Sequence, residues 1–129
     1  MILGLGIDLC EISRIAGAIG RPRFLERVYA PAERERILAA PEGRRAEIAA
    51  GLFAAKEAAA KALGTGFSGF GPWDIEILPD AAGMPVCRLM NGAAERAQAL
   101  SGGAKVRLLV SITHEGGMAA ATVVAERAE

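Results

Sequence analysis

The segment from about Arg44 to Leu63 is rich in alanine, free of proline and followed by Gly64. Alanine loses no side-chain entropy in a helix, and a glycine just past the last turn is a common stop. One long helix is therefore predicted over 44–63. Such a helix must bury a face. At roughly 100° per residue, Ile48, Leu52, Ala55, Ala59 and Leu63 form a stripe that reads as the core face. Near the opposite side lie Ala50, Phe53, Ala54, Glu57 and Lys61. A solvated helix face carries more charge than this. Small residues around two charges predict that something large comes close there, either a ligand or another subunit. Glu57 and Lys61 stand four apart and are neighbours; spacing alone reads them as an exposed ion pair. Lys56 turns towards the apolar stripe, where it could lay its stem along the core or pair with another element.

The remaining elements are shorter. Ile2 to Leu9 reads as a strand, apolar but for Asp8 near its end. Ser13 is placed to cap a helix from Arg14 to Ile19, which Gly20-Arg21-Pro22 breaks. A second short helix runs from Arg23 to about Val28. Pro31 opens a third to Ala39, and Pro41 and Gly43 mark a loop. Asp74 to Leu78 and Met84 to Met90 read as strands around the turn Asp80-Ala-Ala-Gly83. Asn91 can cap a helix to about Leu100. Val106 to Ile112 and Ala119 to Ala125 are two more strands, joined through His114-Glu-Gly-Gly117. The expectation is one α+β domain over 1–129, a small antiparallel sheet packed on one long helix plus short helices.

Lys and Arg number 15, as do Asp and Glu, so the net charge is zero. That balance predicts neither a nucleic-acid nor a membrane partner. No apolar stretch approaches the roughly 20 residues of a membrane span, and Asp8 arrives too early for a signal peptide; a soluble, cytoplasmic protein is expected. Cys10 and Cys87 lack metal-ligand spacing and read as reduced thiols.

Asp8 at the carboxyl end of an apolar strand, with Glu11 one turn on, reads equally as a metal ligand or a helix cap. Carboxylates on separate elements, Asp8 and Glu57, with a lysine near one of them, suit a hard divalent cation. Magnesium takes few protein carboxylates and fills its shell with water and phosphate oxygens, so a pyrophosphate substrate is a natural partner.

Gly4-Leu-Gly-Ile-Asp8-Leu-Cys-Glu11-Ile-Ser-Arg14-Ile resembles the opening of the holo-acyl-carrier-protein synthases, short bacterial phosphopantetheinyl transferases. Phe53-Ala-Ala-Lys56-Glu57-Ala-Ala-Ala-Lys61-Ala-Leu-Gly64-Thr-Gly66 is similar to that family's second motif, and Ser111-Ile-Thr-His114 to its C-terminal one. Asp74-Ile-Glu-Ile with Gly83-Met-Pro85 fits the hairpin between them. The resemblance implies transfer of phosphopantetheine from coenzyme A to a serine of apo acyl carrier protein, with release of 3′,5′-ADP. It makes Asp8 and Glu57 the magnesium ligands, Glu57 a helper in deprotonating the serine, and Lys61 the cation facing the phosphates. Coenzyme A contacts are implied for Lys61, Gly64, Gly66, Ser111, Thr113 and His114. By themselves Gly64 reads as a helix stop and His114, the only histidine, as structural. Arg14, Arg21, Arg23 and Arg27 crowd an early segment around Phe24; composition reads this as a solvated face, whereas the resemblance implies the carrier-docking surface, with Phe24 as its apolar anchor. A homotrimer with active sites between subunits and a role in fatty acid biosynthesis are also implied. The family often has arginine where this chain has Leu52, and Arg44 or Arg45 is the expected substitute. A related transferase serving a specialised carrier and a non-catalytic coenzyme A-binding module are the rival readings.

Overall fold

The computed structural model describes residues 1–128. Strand β1 spans Ile2–Glu11 and runs directly into helix α1, Ile12–Ala18. Two short helices follow, α2 (Pro22–Val28) and α3 (Pro31–Ala39), and then the long helix α4 (Glu42–Ala62). A 3₁₀ turn, Pro72–Asp74, leads into the hairpin β2 (Ile75–Pro79) and β3 (Pro85–Leu89). Helix α5 (Asn91–Ser101) precedes β4 (Val106–Glu115) and β5 (Met118–Arg127). The strands form an antiparallel three-stranded sheet in the order β1-β5-β4, with β2-β3 as a separate pair.

Close approach of β1 to α4 organises the molecule. A Cβ on Gly4 would lie 1.9 Å from the Ala62 carbonyl oxygen, and one on Gly6 would lie 1.8 Å from that of Ala58. Only glycine fits at either position. The central strand answers with small residues: Ala119, Ala121, Val123 and Ala125 are all buried. The alanines of α4 are therefore enclosed by this chain. Ala50 and Ala54, expected on a face open to a ligand or subunit, are fully buried. Phe53 beside them is half-buried and stacked against Phe24 of α2. The small residues signalled close approach correctly, but the element that approaches is intramolecular.

Lys56 is tied to other elements. It donates to Glu33 of α3 at 2.6 Å, to the Pro72 carbonyl at 3.0 Å, and to the carbonyl of Ile75. Glu33 also accepts from the amides of Ala30 and Ile77, at 2.8 and 2.9 Å. Both side chains are buried, so four elements meet at one ion pair.

Several local expectations change. β1 does not end at Leu9, because Cys10 and Glu11 still pair with Ala119 and Met118. Asp8 is thus inside the strand and caps nothing. Helix α1 starts at Ile12, whose amide donates to Gly117; Ser13 lies within it and makes no cap. Asp74 belongs to the 3₁₀ turn, where it accepts from Gly71 and Asn91. Asn91 serves that contact and does not cap α5. β4 continues to Glu115, which places His114 in a strand rather than a loop. Cys10 and Cys87 are both free thiols.

The sheet buries one face on α4 and leaves the other open. Leu5, Ile7 and Leu9 of β1 are 65%, 63% and 66% exposed. The register sets Val124 and Leu109 beside Leu5, Thr122 and Ser111 beside Ile7, and Ala120 and Thr113 beside Leu9. No helix among the described residues is long and apolar enough to cross a membrane.

Candidate active site

Two clusters of functional side chains lie along α4, one near each end of the helix. The first joins β1 to the helix. Lys61 donates to the Ile7 carbonyl at 2.9 Å and to the Asp8 carboxylate at 3.2 Å. The expected Glu57–Lys61 ion pair does not form: among the described contacts Lys61 turns to β1, which the two glycines bring alongside. Glu57 is half-buried. Burial raises its carboxyl above the ordinary carboxylate range, and the nearby Asp8 charge raises it further, while Lys61 and Arg14 pull it down. Two carboxylates that feel each other's charge, supplied by separate elements, form a donor set that suits a hard divalent cation. Among the described residues no third His, Cys, Asp or Glu joins them.

The second cluster lies where α4 faces the β2–β3 hairpin and β4. A cavity of about 420 Å³ is lined by Arg36, Arg44, Glu47, Leu52 and His114, among others. His114 Nε2 stands 3.0 Å from a Glu47 carboxylate oxygen, and Arg44 stands 3.9 Å from the same oxygen. Ser111 and Thr113 both belong to the outer face of the sheet, beside Ile7 and Leu9, and of the two only Ser111 reaches the edge of this cavity. Leu52 is buried. Of the two arginines expected to compensate for it, Arg44 is at the cavity. Arg45 donates to the carbonyls of Ala40 and Leu38 and so closes the end of α3. Sequence reasoning missed Arg36 and Glu47. Nothing local links Glu47 to His114, which reaches it only when β4 packs against α4.

Gly64 and Gly66 have positive φ, at 86° and 63°. Their amides donate to Lys61 and Ala60, so in this conformation they end the helix and neither is free for a phosphate. Arg14, Arg21, Arg23 and Arg27 are exposed on α1, on α2 and between them. Phe24 is not an exposed anchor: its ring sits 6.3 Å from that of Phe53 and 6.0 Å from that of Tyr29, packed on the core.

An antiparallel sheet packed on one alanine-rich helix is an arrangement shared with a family already known. Residues 4–116 match the family model described as the 4′-phosphopantetheinyl transferase superfamily, and the chain belongs to that superfamily. Within it the resemblance is to the holo-[acyl-carrier-protein] synthases. The protein of that name from Solidesulfovibrio magneticus is 50% identical, over 98% of this chain and 99% of its own length. A holo-(acyl-carrier-protein) synthase from Bacillus anthracis, solved in complex with CoA (3′,5′-ADP), superposes with a TM-score of 0.82 at 33% identity, covering 99% of each chain. The Helicobacter pylori enzyme in complex with coenzyme A gives 0.79 at 30% identity, over 95% of this chain and 99% of the other. The chain is accordingly an enzyme of the holo-[acyl-carrier-protein] synthase type.

Proposed function

We propose that the chain moves 4′-phosphopantetheine from coenzyme A to a serine of apo acyl carrier protein, releases 3′,5′-ADP, and requires magnesium. The observation that carries this reading is the meeting of Asp8, Glu57 and Lys61 at the seam of β1 and α4. Magnesium held by Asp8 and Glu57 would neutralise charge on the coenzyme's pyrophosphate. Glu57, raised by burial, is suited to accept the serine proton at neutral pH better than an ordinary solvated carboxylate. Lys61, oriented by Asp8 and the Ile7 carbonyl, meets the phosphate charge and helps the nucleotide leave.

The second cluster completes the substrate site. Glu47 and Lys61 are separated by about 21 Å along α4 at 1.5 Å per residue, farther than the phosphates of one nucleotide span, so a single nucleotide held by both clusters needs two copies of the chain. The exposed row of Leu5, Ile7 and Leu9 supplies an apolar surface for such contact. We therefore read the active form as a homotrimer with sites between subunits, working in the cytoplasm for fatty acid and other lipid biosynthesis. The arginines of α1 and α2 steer the acidic carrier to the site. A monomer mass in sedimentation equilibrium at micromolar concentration would rule out the trimer.

The deciding experiment is incubation of the protein with coenzyme A, magnesium and apo carrier, followed by intact mass measurement of the carrier. A gain equal to one phosphopantetheine, lost with Glu57→Gln, is expected. No gain with properly folded protein would sink the reading, and a gain on a polyketide carrier alone would shift it to a specialised pathway.

A further inference from the structure

Of the charged residues lining the 420 Å³ cavity, three are basic or imidazole groups, Arg36, Arg44 and His114, and Glu47 is the only carboxylate. That carboxylate is engaged with two of the three, at 3.0 Å to His114 and 3.9 Å to Arg44. The site thus contains an internal anion beside the groups best placed to hold an external one. Glu47 is about two thirds covered, so its charge acts partly shielded from water. It lines the cavity from the first half of α4. The adjacent Leu52 offers the ligand no charge, which leaves Arg36, Arg44 and His114 as the lining groups able to meet an anion.

If the proposed function is right, one phosphate of coenzyme A is left for this cavity. The pyrophosphate goes to the Lys61 side, and the remaining phosphate is that on the ribose 3′ oxygen. We propose that Glu47 is an exchangeable counter-anion, which holds His114 and Arg44 before nucleotide binds and yields them to the ribose 3′-phosphate. Because the phosphate must displace a carboxylate, its binding is weaker than Arg44 and His114 alone would give. The product 3′,5′-ADP carries the same phosphate, so the same competition speeds its departure. A purely supporting role for Glu47, in which it only orients His114, predicts the opposite sign, because removing it would loosen the phosphate contact.

The inference is tested by calorimetric binding of 3′,5′-ADP and of adenosine 5′-monophosphate, which lacks the 3′-phosphate, to full-length wild type, Glu47→Gln and Glu47→Ala. A carboxylate a few ångström from a phosphate at a half-exposed site disfavours it by about tenfold. Both variants should therefore bind 3′,5′-ADP ~10-fold tighter, and adenosine 5′-monophosphate unchanged. Equal or weaker binding of 3′,5′-ADP by the variants overturns the inference and leaves the proposed function standing. Equal tightening of both nucleotides also overturns it, since the effect would then not belong to the 3′-phosphate. Wild type that binds neither nucleotide overturns the proposed function, and this inference with it.

Discussion

Lys56 and Lys61 stand five residues apart on α4, and each meets a carboxylate from another element. Lys56 and Glu33 are 1% and 0% exposed, whereas Lys61 and Asp8 are 53% and 20% exposed. The buried pair is saturated: the lysine also donates to two backbone carbonyls, and the glutamate accepts from two amides. The exposed pair leaves most of its hydrogen-bonding capacity unused and faces solvent beside Glu57. A fully satisfied buried ion pair specifies one packing and resists change. A partly satisfied, exposed pair contributes little to folding and keeps its charge available to a ligand. Sequence spacing cannot separate the two lysines; their environments do.

The sharpest way to break this contrast is to remove Glu33. Glu33→Ala leaves a buried lysine without its counter-charge and two amides without an acceptor. A loss of about 3–5 kcal/mol in unfolding free energy is expected, measured by urea denaturation. Burial already pulls Lys56 below the ordinary lysine range, with Glu33 opposing that pull, so the variant should partly recover at high pH as the lysine gives up its proton. Adding Lys56→Met to Glu33→Ala should not restore wild-type stability, because the backbone groups at 30, 72, 75 and 77 lose their partners as well. A loss under 1 kcal/mol for Glu33→Ala would mean that the pair does not organise the fold.

Lys61→Ala should show the reverse balance. Its unfolding free energy should change by less than about 1 kcal/mol. Turnover should fall by about two to three orders of magnitude, the range seen when a donor facing developing charge is removed. Urea denaturation and carrier-loading kinetics on one preparation check both halves. Activity that falls only in proportion to the folded fraction would make Lys61 a structural residue like Lys56.

What the sequence made legible follows the same division. The long helix, the Asp80–Gly83 turn and the strand pairs around it could be read because their signals are local: alanine content, a glycine stop, alternation around a turn. The contact of Lys56 with Glu33 spans 23 residues and that of Glu47 with His114 spans 67, and no local pattern carries either. Small residues at Ala50 and Ala54 announced a close neighbour but not its identity, which proved to belong to this chain. β1 looked uniformly apolar because it alternates between glycine or cysteine packed towards the helix and leucine or isoleucine on the open face. The packing of Phe24 on Phe53 was not legible, because an aromatic among arginines looks the same whether it anchors a partner or fills the seam between helices.

Glu57 gives a smaller effect with a definite sign. Because its carboxyl is raised in the folded state, the folded chain keeps that proton to higher pH than the unfolded chain does. Stability contributed at this position is therefore present at acid pH and lost as pH rises through the raised value. In metal-free buffer, Glu57→Gln should match wild type near pH 4 and become slightly more stable than it towards pH 8. Thermal melts across that range check the sign. A wild type that gains on the variant as pH rises would mean that the carboxylate is stabilised by its surroundings, unlike a group held ready for a metal or a proton.

The smallest effects belong to the exposed arginines, and the structure divides them. Arg14 lies close enough to Glu57 to lower its pKa, so its removal should change turnover as well as docking. Arg21 and Arg27 are exposed, and neither makes a salt bridge among the described contacts. Charges at a rim act mainly on encounter rate and are screened beyond about 8 Å at physiological ionic strength. With Phe24 packed against Phe53, no apolar anchor strengthens the contact from this segment. Replacing Arg21 and Arg27 together with alanine should therefore raise the Michaelis constant for the carrier by only about threefold to tenfold, since each rim charge contributes at most about 1 kcal/mol. It should also flatten the dependence of kcat/KM on salt. The Michaelis constant for coenzyme A should stay within about twofold, since these side chains do not line the cavity at Arg36, Arg44 and His114. Steady-state kinetics with each substrate varied in turn, at two salt concentrations, separate the outcomes. Loss of coenzyme A affinity with unchanged carrier kinetics would move the patch from the partner to the nucleotide, and the carrier would then have to dock elsewhere on the chain.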